Sequence, residues 1–368
     1  MMMSPIELLR RRLTAWILAS RREGGAFPGR SDRIKNARII VINPLGEALS
    51  HYSQALVCHL TDAGVESEVV SITEPSRSGK SRFKWLMDYF AVLVSVGKRT
   101  RKRHSREIVL VTWPVLGFLD LVIVKILCGS TGMIVYHDPR PLVRSAGSSR
   151  AVAGLVRLVG KRPRALVHSK EAAQAMCNLG FSFGLTMVPH PILPTGAVNE
   201  PTRDYGIGAR HCVRVLGQYK EDRDVDLLRV LAEQLGKKYH FEIVGRGWPP
   251  VTGWKVDARF VSEDELDELI ATSGAIIIPY KRFYQSGIAI RALEKAVPIV
   301  GRAQTNLRDL YGPRSRLLVE EDGKTRGVTV EAWVSAIEFA LEHGRAESVL
   351  AAKLFHEDAA RGWASLVR

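Results

Sequence analysis

The chain has 368 residues, too many for one ordinary core and suited to two domains of roughly 150 to 180 residues each. Its 46% apolar and 25% charged content exclude a disordered chain, and a formal charge of +15 calls for an acidic partner. Four scattered cysteines, Cys58, Cys128, Cys177 and Cys212, form no CxxC pair. They read as buried core thiols in a reducing compartment, so neither zinc nor a disulfide framework is expected.

Residues 1–30 form a basic amphipathic segment, in which Arg10, Arg11, Arg12, Arg21 and Arg22 flank an apolar run too brief to span a bilayer and without a cleavage site. A first domain over 31–195 begins with a predicted strand at 37–43 and a helix at 49–63 closed by Gly64. Further strands follow at 68–72, 108–112, 133–137, 165–168 and 186–189. An apolar stretch at 85–94 precedes the cluster Lys98, Arg99, Arg101, Lys102, Arg103 and Arg106. Apolar surface beside polybasic surface suits an anionic cytoplasmic leaflet, at about 1 kcal/mol per basic residue, and a solvated basic face is the plainer reading of the same charges. No basic strip interleaved with aromatics and no binding module is present, so nucleic acid is not an expected partner.

Six Pro and Gly residues between 191 and 210 mark a linker, taken as 196–210. A second domain over 211–345 restarts the alternation: strands at 213–216, 240–244, 258–261, 275–279, 298–300 and 317–320, with helices at 225–235, 263–272 and 286–296. Two amphipathic helices at 328–343 and 347–367 have no strand between them, and the segment 346–368 is expected to pack back on the first domain. Short apolar runs alternating with helical patterns build mainly parallel sheets. The expected architecture is α/β: two Rossmann-like doubly wound domains facing a cleft, where strand carboxyl ends meet.

The most informative stretch is 279–300, which reads as a strand end, a polar turn at Gln285-Ser286-Gly287, a helix, and a Pro-led buried strand. A helix N-terminus carries roughly half a positive charge and unpaired N–H donors, so a phosphate is its natural guest. The same pattern also serves as a plain crossover. A nicotinamide enzyme needs GxGxxG, and the loop after the first strand, Asn43-Pro44-Leu45-Gly46-Glu47, has one glycine. Gly245-Arg246-Gly247 has two, followed by Trp248-Pro249-Pro250 instead of a helix.

These motifs, in their order, resemble a GT-B glycosyltransferase, closest to the large family 4 of nucleotide-sugar enzymes, over roughly residues 37 to 345. The family opens its second domain with Gly-Arg, a few residues, Lys-Gly and a Leu-rich helix; this chain has Gly217-Gln218-Tyr219-Lys220-Glu221-Asp222-Arg223 at that spacing. The resemblance therefore places Gln218 and Arg223 at the donor diphosphate, with Lys220 in the same loop. It places Gly245 near the nucleotide base, Gly46 near the diphosphate and acceptor, and Tyr280, Gln285, Ser286 and Gly287 at the donor phosphates. Tyr136-His137-Asp138-Pro139 resembles the strand-ending His-Asp loop opposite the phosphate turn. It implies that His137 contacts the reacting sugar and that Asp138 orients it or accepts the acceptor's proton; capping the next loop is the structural alternative. His168-Ser169 and Pro189-His190-Pro191 match family segments and read as structural.

One departure is sharp. The family's paired glutamates, seven residues apart, fall on Phe283 and Arg291, with Arg291 expected to reach a phosphate or ribose or else to lie exposed. The resemblance implies transfer of a sugar from a nucleoside-diphosphate sugar to a lipid-linked or polysaccharide acceptor hydroxyl. It implies retention of configuration, no cofactor and no metal, since no Asp-x-Asp motif stands in a suitable place. A cytoplasmic protein, peripheral on the inner face of a membrane, is expected. The alternative is a catalytically inactive sugar-nucleotide-binding or scaffolding protein on the same fold, favoured by Phe283, Gln218 and Arg291.

Overall fold

The computed structural model describes residues 38–79, 81–103, 107–141, 147–159, 164–182, 184–194, 211–281, 283–320 and 329–367. The basic segment 1–30, the linker 196–210 and Arg106 lie outside the described residues.

The first sheet contains β1 (Arg38–Asn43), β2 (Glu66–Ser71), β3 (Glu107–Val111), β4 (Gly132–Val135), β5 (Ala165–Val167) and β6 (Leu185–Met187), in the order β2-β1-β3-β4-β5-β6. The second contains β7 (Cys212–Leu216), β8 (His240–Val244), β9 (Lys255–Asp257), β10 (Ala275–Ile278), β11 (Ile299–Arg302) and β12 (Leu318–Val319), in the order β12-β11-β10-β7-β8-β9. Every pairing is parallel. Parallel strands are covered on both faces, and Ile39, Ile40, Val41 and Ile42 are accordingly all inaccessible to solvent. In each sheet the strand order reverses once, between β1 and β3 and between β7 and β10, which opens a crevice beyond the strand carboxyl ends.

Helices α1 (Ser50–Asp62), α2 (Arg82–Arg103), α3 (Leu119–Cys128), α4 (Arg150–Val159) and α5 (Lys170–Asn178) flank the first sheet. Tyr89 and Leu93 of α2, Phe118 and Val124 at α3 and Val156 of α4 form one core on a single side of it. The apolar stretch 85–94 therefore falls mostly in the first half of α2, with Tyr89 and Leu93 turned inward and Met87 outward. The second sheet carries α6 (Val225–Leu235), α7 (Glu263–Ala271), α8 (Gly287–Glu294), α9 (Leu307–Tyr311) and α10 (Val330–Glu342).

The last helix, α11 (Gly344–Val367), packs along α1, and Gly362 lies so close to the first domain that a Cβ there would stand 2.9 Å from Pro189 Cδ. Tyr52, Leu56 and Leu60 of α1 share one continuous core with Phe355 and Trp363 of α11 and with Ile290 and Leu293 of α8. Both sheets are thus joined by buried apolar surface.

Two sequence expectations shift. The strand expected at 258–261 is instead β9, whose pairing with β8 ends at Val244 and Asp257. Beyond it Arg259 folds back on Asp257 and Glu265, leaving Phe260 66% exposed. All four cysteines are free, but Cys58 and Cys177 are only half-buried, unlike Cys128 and Cys212. Among the described residues no helix is long and apolar enough to cross a membrane.

Candidate functional site

The switch point of the second sheet opens on a cleft whose other side is the loop after β4 of the first domain. Asp138 lines it from the first domain, and Lys220, Tyr280, Phe283, Tyr284, Gln285, Ser286 and Gly287 line it from the second. Its volume is about 160 Å³, below the roughly 300 to 1,000 Å³ of a small-molecule pocket, so the space fits a phosphate or one sugar and not a whole nucleotide sugar.

The turn at Gln285-Ser286-Gly287 is built by β10 and α8. Ser286 has extended backbone and its hydroxyl oxygen accepts the Ala289 N–H at 3.3 Å, an N-cap that starts the helix. The Gly287 and Ile288 N–H groups have no intrahelical partner in that geometry, and a Cβ at Gly287 would meet nothing within 4 Å. Donors and open space therefore coincide at the tip of α8.

His137 follows β4 and stacks on Trp113 with centroids 5.5 Å apart. Its Nε2 lies 2.9 Å from the Thr112 carbonyl and its Nδ1 2.8 Å from Gln285 Oε1 across the cleft, an amide whose oxygen and nitrogen exchange places on a half-turn. Burial lowers its pKa, so the ring holds one proton. Donating that proton from Nε2 to Thr112 leaves Nδ1 as an acceptor, satisfied when the Gln285 amide presents its NH₂. Asp138, beside it, accepts the Arg140 N–H at 3.2 Å.

Behind His137 lies a buried set of rings. The Tyr52 hydroxyl meets His168 Nε2 at 3.0 Å, while His168 Nδ1 donates to the Val188 carbonyl at 2.8 Å. Burial keeps the Tyr52 phenol protonated and lowers the pKa of His168 and His190, whose rings lie 5.1 Å apart. Among the described residues no group of three His, Cys, Asp or Glu side chains is arranged to hold a metal ion.

The other expected donor contacts divide. Gly245 has φ +152, and a Cβ there would stand 2.2 Å from the Gly217 carbonyl oxygen. Only glycine lets the loops after β7 and β8 touch. Gln218 is exposed; its side chain accepts from Arg246 at 3.2 Å. Gly46 has φ +51 and its carbonyl accepts from Asn43 Nδ2 at 2.8 Å, shaping the loop after β1 without lining the cleft.

Arg223 and Arg291 do not line the cleft. Arg223 Nη2 donates to the carbonyls of Gln218 at 2.8 Å and Leu216 at 3.2 Å. Its guanidinium lies between the rings of Trp248 and Tyr280, 4.8 and 4.6 Å from their centroids. That environment commits Arg223 to holding its own loop, and Lys220 is the cation of that loop that reaches the cavity. Arg291 is buried and paired with Glu263 and Asp267 of α7, the second at 2.7 Å, so it is neither exposed nor aimed at the turn.

Several residues that complete the site carried no motif. Phe283, in the place of the first family glutamate, is 7% exposed and packs into the shared core. Tyr284 inserts into the first domain's core, and its carbonyl accepts from Ser169 Oγ at 2.9 Å. Glu294, at the end of α8, is almost fully buried and takes the Leu193 N–H at 2.8 Å and His51 Nε2 at 2.7 Å. Only the position of Thr112-Trp113 just past β3, at the switch point, marked that pair in the sequence.

No protein-family model matches the chain, and no curated protein is significantly similar to it. Solved structures do resemble it. A trehalose-6-phosphate protein from E. coli, bound with UDP-2-fluoro glucose, superimposes with a TM-score of 0.56 at 10% identity, over 89% of this chain and 97% of its own. An alpha,alpha-trehalose-phosphate synthase (UDP-forming) from Burkholderia vietnamiensis gives 0.56 at 12% identity, over 90% and 98%. The corresponding Burkholderia xenovorans enzyme, in complex with glucose-6-phosphate, gives 0.56 at 10%, over 89% and 98%. At such identities the likeness is one of architecture: the chain has the GT-B fold, two Rossmann-like domains around a cleft.

Proposed function

We propose that this protein is a glycosyltransferase that moves a sugar from a nucleoside-diphosphate sugar to the hydroxyl of a lipid-linked or polysaccharide acceptor. The observation that carries the reading is the cleft itself, where the open tip of α8 and Lys220 face the His137-Asp138 loop of the opposite domain. Bound UDP-2-fluoro glucose and glucose-6-phosphate in two of the similar structures supply the matching ligand chemistry. The grouping with family 4, the retaining outcome and the metal-independent route rest on motif order. So does the expected place at the cytoplasmic face of a membrane.

In this reading the donor diphosphate sits at the α8 N-terminus. The Gly287 and Ile288 N–H groups, the helix dipole and the Lys220 ammonium stabilise the charge that develops as the glycosidic C–O bond breaks. The sugar, passing through an oxocarbenium-like state, lies toward His137, and Asp138 orients it or takes the acceptor proton. A whole donor exceeds the present cavity, so the domains part first, and the His137–Gln285 bond exchanges for contacts to the sugar.

The test is a thermal-shift screen across UDP-, GDP- and dTDP-sugars, followed by nucleotide release with a membrane lipid extract as acceptor source. One donor class raises the midpoint, and that donor is turned over only with acceptor. No shift with any donor overturns the reading. The second reading, a binding protein without transfer, is favoured by Arg291, whose commitment to Glu263 and Asp267 leaves no charged contact for the ribose. It predicts a donor shift with no nucleotide release.

A further inference from the structure

We propose that the first turns of α2 are a docking edge for an anionic lipid bilayer, placed at the lip of the cleft. Helix α2 buries Tyr89, Leu93 and Val96 on its inner face. Its outer stripe is split in two. Phe83 and Met87, one turn apart, are 73% and 51% exposed, with exposed Arg82 and Lys84 beside them. Further along the same stripe come exposed Lys98 and Arg101.

Residues four apart share one helix face, so this is an apolar tip followed by a cationic run. Over its length α2 carries Arg82, Lys84, Lys98, Arg99, Arg101, Lys102 and Arg103 against the single acid Asp88. Beside the cationic end, Arg101 Nη2 donates to the Ile126 carbonyl at 2.6 Å, and Ile126 is itself 63% exposed.

An exposed Phe and Met flanked by cations fit the headgroup boundary of an anionic bilayer, where the rings and thioether enter the acyl region and the cations pair with phosphates. Excess positive charge disfavours a second copy of the same face. The placement adds a reason for the edge to exist. Trp85 Nε1 donates to the Pro44 carbonyl at 2.8 Å, which ties the first turn of α2 to the loop after β1, at the carboxyl edge of the first sheet. A lipid-linked acceptor would then enter from the membrane along this lip. The purpose of the edge rests on the proposed function; its geometry does not.

The test uses the full chain in flotation with phosphatidylcholine vesicles, with and without phosphatidylglycerol. The chain floats with the anionic vesicles and is released by salt. Phe83→Ser with Met87→Ser lowers partitioning roughly tenfold at unchanged melting midpoint, and Lys98→Gln with Arg101→Gln lowers it by a similar factor. In the unmodified chain, anionic vesicles slow hydrogen exchange over residues 82–87. Wild-type flotation by the apolar variant, absence of that protection, or loss only on changing Arg10, Arg11, Arg12, Arg21 and Arg22 to Gln overturns the proposal. So does a dimer in vesicle-free solution that the apolar variant dissociates. The vesicle readout needs no donor: a chain that floats without turning over any donor sinks the function and keeps the edge. The reverse result sinks the edge alone.

Discussion

Ala296 has φ +53, the left-handed region, and is the one non-glycine residue in it among the described residues. It follows α8 in a Schellman turn, with the Ala296 N–H on the Leu293 carbonyl at 3.0 Å and the Val297 N–H on the Ala292 carbonyl at 2.9 Å. The left-handed conformation costs an L-residue about 1 to 2 kcal/mol, offset in part by burial of the methyl group at about 0.8 kcal/mol. Ala296→Gly is therefore expected to raise stability by about 0.5 kcal/mol, read as a higher urea midpoint at unchanged slope. A lower midpoint would show that the methyl contact outweighs the strain. The histidines make a second prediction at this scale. Burial, reinforced by His356, lowers His59 from 6.5 to about 4, and burial lowers His137, His168 and His190 as well. A depressed folded-state pKa means the unfolded chain binds the proton first as pH falls. Each group's contribution is complete above its unfolded pKa of about 6.5 and is lost below it, at about 1.4 kcal/mol per pH unit. Asp120, raised by burial to about 6, and Glu171, also raised, oppose this over the lower part of the window. Four histidines outweigh two carboxyls, so the urea midpoint at pH 5.5 falls below that at pH 7; an equal or higher midpoint refutes the neutral histidine cluster.

At the scale of elements, the loop after β7 separates two cations that look alike in sequence. Lys220 is exposed at the cleft, whereas Arg223 is 5% exposed and bonded to carbonyls. Lys220→Ala should weaken donor binding about tenfold, the worth of one charge-assisted bond to phosphate, with the melting midpoint held. Arg223→Ala should instead lower stability by about 2 kcal/mol or more, because it removes a stacked guanidinium and frees two carbonyls. Calorimetric donor titration and urea unfolding of both variants separate these roles, and the opposite pattern returns the diphosphate to Arg223. Strands and helices were legible because their signal is local: β1 is a continuous apolar run, and Gly64 and Ser286 punctuate α1 and α8. The turn at Gln285-Ser286-Gly287 was legible for the same reason. The β9 boundary was not, since the apolar Val261 and Phe260 promised a strand, while the Arg259 pairs with Asp257 and Glu265 ended it. Nor was the fate of Arg291 or Arg223, because which partner a buried cation finds depends on a neighbouring helix or loop distant in sequence.

At the scale of the molecule, closure of the cleft depends on few polar links laid over a continuous apolar core. His137 to Gln285, Ser169 to the Tyr284 carbonyl, and the Lys170 N–H to Asp309 at 2.9 Å cross between the domains. Glu294 differs from these because its buried carboxylate receives both His51, at the start of α1, and the Leu193 N–H, at the approach to the linker. Through it the end of α8 is fixed to α1, the helix that follows the Gly46-Glu47 loop. Glu294→Ala leaves a buried N–H without a partner and frees the His51 ring, at a cost of about 2 to 4 kcal/mol. Glu294→Gln keeps an acceptor for Leu193 and should recover about half of that loss. If the link also sets the resting angle between the domains, the Ala variant has a larger radius of gyration in solution scattering. Because a whole donor needs the domains to part, a cleft already parted then binds donor at least as tightly as the wild type, which calorimetric titration reads. A variant with wild-type stability and an unchanged scattering curve would show instead that the shared apolar core, from Tyr52 to Trp363, holds the two domains without help from Glu294.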